Sequence, residues 1–379
     1  MAKRARRGRG EGSIFQRANG QWASMISAGY GLDGKRIRKT VYGATKGEVQ
    51  DKLTKLQGQK IDGSLVSPST VTVGEYLDTW LATSVKGKRR SMTHYTYVRR
   101  VEAWIKPKIG GIKLAKLQPA HIDAMNAALA SDGLEAGSRR NAHAILRSAL
   151  QRAYKTRLIP FNPCDFVERP TYSPPDVHPM TEPQAGLLLK SVKGTDIGTC
   201  IALALTSGIR EGEILGLQWT DLDLKARTLQ VRRTLYWLDG KWGTNDPKNP
   251  RSKRTIVLAG LAVDALQSHL ERATESGKLA FPWIFCDAKG DPYKARRMLE
   301  EYKGCLEAAG LPHFRFHDLR HTSASLLLTA GVHPKVVQER LGHARIGITL
   351  DTYSHVVPAM HSDASSKFDG MFGEDGQSK

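Results

Sequence analysis

Residues 317–356 read HDLRHTSASLLLTAGVHPKVVQERLGHARIGITLDTYSHV, and this stretch governs how the rest of the chain is understood. It brings His317, Arg320, His343 and Tyr353 within a window short enough to fold into one pocket. One phenol, two imidazoles and a guanidinium suit the attack of a hydroxyl on a phosphodiester. The phenol is the nucleophile, the guanidinium neutralises the non-bridging oxygens, and the imidazoles donate hydrogen bonds to the pentacoordinate phosphorus centre. A lone Tyr353 would read as an amphipathic core residue on a short helix. Its company changes that reading.

Two upstream segments complete the set. Residues 206–219, TSGIREGEILGLQW, place Arg210 and Glu213 three apart on a predicted helix, with Ile209, Ile214, Leu215 and Leu217 as apolar anchors. An arginine that faces a buried phosphate needs a carboxylate or carbonyl behind its fork, and Glu213 is within reach. Residues 245–258, NDPKNPRSKRTIVL, carry Lys248 after a proline and into a basic turn that leads to the strand-like run from Arg254 to Leu258. A lysine on a hairpin tip can protonate a leaving 5′ oxygen. Arg251, Lys253 and Arg254 crowd the same turn.

These residues give the chain its resemblance to the tyrosine recombinases, the lambda-integrase-like site-specific recombinases. Arg210 resembles the first catalytic arginine of that family and Lys248 its β-hairpin lysine. His317 and Arg320 match the H-x-x-R pair, His343 the histidine of the LGH turn, and Tyr353 the nucleophile. Glu213 is the carboxylate that commonly follows the first arginine. The match runs over about residues 180 to 360 in identity, order and local spacing. Lys248 is preferred over its basic neighbours because its distance to the Ile256 strand matches the family hairpin. One departure is Ala344-Arg345 after LGH, where the family often has small hydroxyl residues that cap the tyrosine helix.

The charge distribution agrees with a polyanionic partner. The 379-residue chain carries a net +20, too basic for an ordinary metabolic enzyme. Residues 1–65 hold +9, residues 66–178 hold +8, and residues 179–379 only +3. The front is expected to grip double-stranded DNA and the back to perform chemistry. Cys164, Cys200, Cys286 and Cys305 form no C-x-x-C pair, which fits a reducing compartment. His313, His317 and His321 recur every four residues, but no acidic or thiolate ligand completes a metal set, so neither metal nor cofactor is expected. No secretory signal or membrane span is expected either, and the reading is cytoplasmic, at a bacterial nucleoid.

The predicted fold class is multidomain α+β. Residues 1–65 are a basic arm followed by a small three-stranded sheet and a helix from about Lys46 to Gln57, with hairpin dipeptides at Asn19-Gly20 and Asp33-Gly34. Arg17, Lys35, Arg36, Arg38 and Lys39 would line that sheet, whose face can enter a major groove. Residues 70–165 are all helical. Lys86, Lys88, Arg89 and Arg90 fall in a loop, a helix runs from about Ser91 to Ile105, and Arg139 and Arg140 open another. Residues 176–368 are the mostly α catalytic region with a small β-sheet, and 369–379 a flexible tail. The resemblance makes the front an arm-type DNA-binding domain and the middle a core-binding domain.

A phenol is only about one part in a thousand ionised at neutral pH, so Tyr353 needs its cationic neighbours. The expected product is a 3′-phosphotyrosyl bond that conserves the phosphodiester energy, without ATP or metal; no G-x-x-x-x-G-K-[S/T] occurs. The resemblance further implies a homotetramer on core-type and arm-type attachment sites, a Holliday junction, and accessory DNA-bending or directionality factors. The sheet-like front favours a phage or integrative-element integrase over recombinases that resolve chromosome dimers. A non-catalytic DNA-binding regulator and a type IB topoisomerase-like enzyme are the competing classes.

Overall fold

The computed structural model of the chain describes residues 13–30, 36–61, 70–173, 178–245, 253–342, 345–347 and 350. Lys35, Lys248, His343, Tyr353, the Asp33-Gly34 turn, the basic arm and the tail lie outside these residues. The chain divides into two compact units, Met1–Pro174 and Pro175–Lys379.

The first unit begins with β1 (Ser13–Gln16), β2 (Trp22–Tyr30) and β3 (Arg36–Gly43), an antiparallel sheet in that order, followed by α1 (Lys46–Ile61). Asn19-Gly20 closes the first hairpin because glycine accepts φ 81° without a Cβ penalty. The sheet packs on α1 through a small core: Ile26, Leu53 and Leu56, with Ile14 and Val41 against them. Strand alternation puts Val41 on the helix side, and Lys39 with it. Arg38, Thr40 and Tyr42 point the other way, beside the exposed Phe15 and Met25.

The helical part contains α2 (Val73–Trp80), α3 (Ser91–Arg100), α4 (Lys106–Ile109), α5 (Pro119–Ser131) and α6 (Ala136–Lys155). Thr72 starts α2 as half of a capping box, its Oγ1 accepting from Glu75 N at 3.3 Å while Glu75 accepts from Thr72 N at 2.8 Å. The helix expected to end at Ile105 continues through a π-helical turn, Val101–Ile105, into α4. Helix α6 has two faces. Ala142, His143, Leu146, Ala149 and Leu150 enter the core, while Arg147, Gln151 and Lys155 do not. Tyr76 joins α2 to α6 by donating to Ala149 O at 2.8 Å, and burial pushes its phenol up to about 12. Trp80 is core, stacked on Tyr97 with ring centroids 6.0 Å apart.

The second unit is built around α8 (Asp196–Ser207). That helix is apolar on every face and therefore buried on every face. Around it lie α7 (Glu182–Ser191), α9 (Glu211–Leu215), α10 (Gly260–Glu275), α11 (Ala295–Ala308), α12 (Asp318–Thr329) and α13 (Pro334–Leu341). A three-stranded antiparallel sheet pairs β4 (Leu222–Asp223), β5 (Thr228–Val231) and β8 (Arg254–Val257) in that order. A separate hairpin joins β6 (Thr234–Leu238) to β7 (Lys241–Asn245). The architecture is the α+β arrangement expected from the sequence. No helix among the described residues is long and apolar enough to cross a membrane.

Candidate active site

Two helix ends frame the site. Helix α8 stops at Gly208, whose φ of 63° reverses the chain and aims the next residues at α9. A Cβ on Gly208 would meet Leu341 Cδ2 at 2.3 Å, so any side chain there would have to displace Leu341. Helix α13 stops in the same way at Gly342, φ 67°, where glycine takes the left-handed conformation. The carbonyls left over at both ends need donors. Arginines supply them. Arg320, 3 % exposed on α12, donates Nη1 to Gly208 O and Nη2 to Leu341 O at 2.7 Å. Arg340 donates Nη2 to Thr206 O at 2.9 Å.

Arg210 stands just before α9 in extended conformation (φ −79°, ψ 154°), not inside a helix as its spacing with Glu213 suggested. The reason is local: Glu213 accepts from Arg210 N at 3.1 Å, satisfying the first free amide of the short helix. The same carboxylate accepts from Arg210 Nη1 at 2.8 Å. Glu213 is 2 % exposed, and its second oxygen also accepts from Arg254 Nη2 at 3.0 Å. Burial works against its charged form, but the Arg254 and Arg210 guanidiniums prevail and hold the carboxyl below its usual range. The Arg210 guanidinium itself remains partly open and has no further partner among the described residues.

His317 sits at the start of α12, with its ring 5.1 Å from that of His321, edge to face. Desolvation, then the charges of Arg320 and Arg210, hold the His317 pKa below the ordinary histidine value. Desolvation and His317 push His321 down to about 4. Asp318 accepts from Arg315 N at 2.7 Å and so fixes the turn that precedes α12. Thr322 Oγ1 donates to Asp318 O at 2.9 Å and accepts from Met180 N at 3.0 Å, tying α12 to the start of the unit.

The structure thus brings Arg210, Glu213, His317 and Arg320 to one place, while Lys248, His343 and Tyr353 lie outside the described residues. It also removes Arg254 from the basic candidates of the lysine turn, because its side chain is 7 % exposed and committed to Glu213. The signal was present: in RTIVL, Arg254 shares its face with Ile256 and Leu258, and an arginine at an inward strand position needs a buried partner.

In the first unit the predicted DNA-facing residues separate. Lys88, Arg89 and Arg90 lie in the loop between α2 and α3, as the sequence placed them. Arg140 is exposed, but Arg139 falls one step round α6 toward the His143–Leu146 stripe and is half-buried. On the sheet, Arg38 lies on the face away from α1, Lys39 on the other, and Arg17 covers the Tyr42 ring at 5.4 Å. Arg36 belongs to β3 at its first position. Sequence reading missed a basic cavity of about 560 Å³ lined by Lys88, Arg147, Gln151, Arg152, Lys155 and Arg169. Helical spacing puts Arg140 on the same side of α6 as Arg147 and Gln151.

Comparison with known proteins places this geometry. Residues 180–360 match the sequence model described as the phage integrase family, and residues 72–126 that of a phage integrase N-terminal SAM-like domain. A XerC-like tyrosine recombinase of Caldanaerobacter subterraneus subsp. tengcongensis is 27% identical over 372 residues, spanning 92% of this chain and 95% of that protein. The Tn1549 transposon integrase, solved in complex with a circular intermediate DNA, superposes with a TM-score of 0.65 at 21% identity, covering 78% of this chain and 100% of that one. A lambda integrase tetramer bound to a Holliday junction gives 0.58 at 17% identity, covering 92% and 96%. The fold and the sequence matches define a DNA strand-exchange enzyme. The chain belongs to the phage integrase family of tyrosine recombinases, and it is a site-specific recombinase that integrates or excises a mobile element.

Proposed function

We propose that this recombinase cleaves DNA with the Tyr353 hydroxyl and conserves the broken phosphodiester as a 3′-phosphotyrosyl bond. Arg210 and Arg320 hold the scissile phosphate and stabilise the added charge of the pentacoordinate transition state. His317 and His343 donate hydrogen bonds and move protons beside it, and Lys248 protonates the departing 5′ oxygen. The 5′ hydroxyl of a second strand then attacks the phosphotyrosyl bond, restoring the phenol. Each step exchanges one phosphate ester for another, so it requires no ATP, and the guanidiniums, imidazoles and ammonium supply the charge and protons that a metal would otherwise supply.

The observation that carries this reading is the Arg210–Glu213 pair. A buried carboxylate fixes one edge of the guanidinium and leaves the rest open, two residues from the Gly208 carbonyl that holds Arg320. That is the arrangement a phosphate clamp requires.

The sheet of 1–65 binds arm-type sites through its Arg17, Arg38 and Tyr42 face. The helical region of 70–165 grips core-type sites with Lys88, Arg89, Arg90, Arg140 and the basic side of α6, and residues 176–368 perform the chemistry. The working form is a homotetramer on DNA in the cytoplasm of a bacterial host, with accessory DNA-bending or directionality factors. Incubation with a nicked suicide substrate bearing a core site tests the mechanism. A denaturation-resistant protein–DNA adduct is expected from the wild type and none from Tyr353→Phe. An adduct in both, or in neither, rejects the proposed nucleophile.

A further inference from the structure

Arg254 is the first residue of β8 and reaches two parts of the site at once. Its Nη2 donates to Glu213 Oε2 at 3.0 Å, and its Nε donates to Arg340 O at 2.7 Å. The first contact bears on Arg210, because Glu213 has only two oxygens and uses the other on the Arg210 guanidinium. The second bears on the last turn of α13, where Leu341 O is already held by Arg320. The fit around Arg254 is close: a Cβ on Gly342 would stand 3.1 Å from its Nη1. A planar fork can make these bonds in two directions, whereas an ammonium acts as a point charge.

We propose that Arg254 is a positioning residue of the recombinase: it joins the Glu213 carboxylate to the end of α13, and so keeps Arg210 in register with the Arg320 side of the phosphate site. This rests on the reading of Arg210 and Arg320 as the phosphate clamp. Among the described residues the bonds of Arg254 run to Glu213 and to the end of α13, so it acts on Arg210 through Glu213. Without Arg254, the Arg210 guanidinium is the one cation left on Glu213 among the described residues, because Arg340, the cation in the last turn of α13, is engaged with Thr206 O. A buried carboxylate that loses one of its two cations takes up a proton more readily, and a protonated Glu213 holds Arg210 less firmly.

The test is single-turnover cleavage of the suicide substrate by the full-length protein, measured from pH 7.5 down to about 5, with core-site affinity and thermal unfolding recorded in parallel. Arg254→Met is expected to bind the core site within about threefold of wild type and to cleave about a hundredfold more slowly, the scale of a misplaced catalytic group. Its rate should fall off toward acid pH more steeply than that of wild type, and Arg254→Met combined with Glu213→Gln should lose that acid limb. Arg254→Lys should recover about tenfold of the loss. Wild-type rate and pH profile in Arg254→Met overturn the proposal. So do equal losses in Arg254→Met and Arg254→Lys with an unchanged pH profile, which mark a plain packing role. If Arg254→Met does not fold, Arg254→Lys is compared in the wild-type and Glu213→Gln backgrounds. A smaller cost in the second supports the coupling, and an equal cost in both overturns it. Failure of the wild type to form an adduct rejects the clamp itself, whereas a normal adduct with indifferent Arg254 variants rejects only the role of Arg254.

Discussion

The two units use positive charge in opposite ways. In the front unit cations are many and largely exposed: Lys88, Arg89 and Arg90 on one loop, Arg147 and Lys155 along α6, Arg38 on the open sheet face. In the rear unit the net charge is small, yet Arg320 and Arg254 are buried and bonded to fixed backbone or carboxylate oxygens. Long exposed side chains follow a polyanion's shape and gain from counterion release. Buried guanidiniums cannot adapt, and that is their use: a group that must meet a developing charge acts best when it need not reorganise. Arg320 and Arg254 suit this use because a planar fork can satisfy two oxygens at once.

Removing a buried cation should be the most damaging change. Arg320→Met leaves the Gly208 and Leu341 carbonyls without their donor. Unfolding free energy should fall by about 2–4 kcal/mol on denaturant titration, and cleavage by about a hundred- to thousandfold. Retention of full cleavage would erase the distinction between the units. On the exposed side, replacing Lys88, Arg89 and Arg90 together by Ala should weaken core-site binding by about ten- to a hundredfold. The log–log slope of affinity against salt should become shallower by about one for each phosphate no longer neutralised. The cleavage rate at saturating protein should stay unchanged, and a matching loss there would mean the loop serves chemistry as well as grip.

A pH titration sharpens the same contrast. Desolvation first, then the charges of His317, Arg320 and Arg315 against the opposing pull of Asp318, push His321 down from 6.5 to about 4 in the folded state. The unfolded chain therefore takes up the proton first, and stability is lost as pH falls from 6.5 toward 4. After discounting for residual solvent, the loss is about 1 kcal/mol. It should be visible in the unfolding midpoint and flattened in His321→Asn. The carboxyls of Glu213 and Asp318, held below their usual range, give up their contributions only at lower pH. Smallest of all, Arg38→Ala should weaken arm-site binding a few-fold, about 1 kcal/mol or less, while Lys39→Ala, on the opposite face of β3, leaves it unchanged in a gel-shift titration. Equal effects from the two would mean that the sheet does not bind by one face.

Much of this was legible in the sequence because it is written in local patterns. The Asn19-Gly20 hairpin, the helix that starts near Lys46 and the loop that carries Lys88, Arg89 and Arg90 follow from turn chemistry and periodicity. The Arg210, Glu213, His317 and Arg320 set was readable as spaced motifs. The bonds made by Arg254 were not. Its partner Glu213 is 41 residues away and the Arg340 carbonyl 86, and a run of four basic residues reads as a charged turn whichever member turns inward. Arg139 and Arg140 were indistinguishable as neighbours in sequence, because only the phase of α6 against its core separates them.

Among the described residues the front sheet and α1 share a modest apolar core, in which Ile26, Leu53 and Leu56 gather with the partly buried Ile14 and Val41, near the buried Val49. A module so lightly held responds strongly to anything that binds only its ordered form. Occupancy of an arm-type site would then act as a thermodynamic brace, and the affinity measured there would report the module's own folding equilibrium together with its contacts.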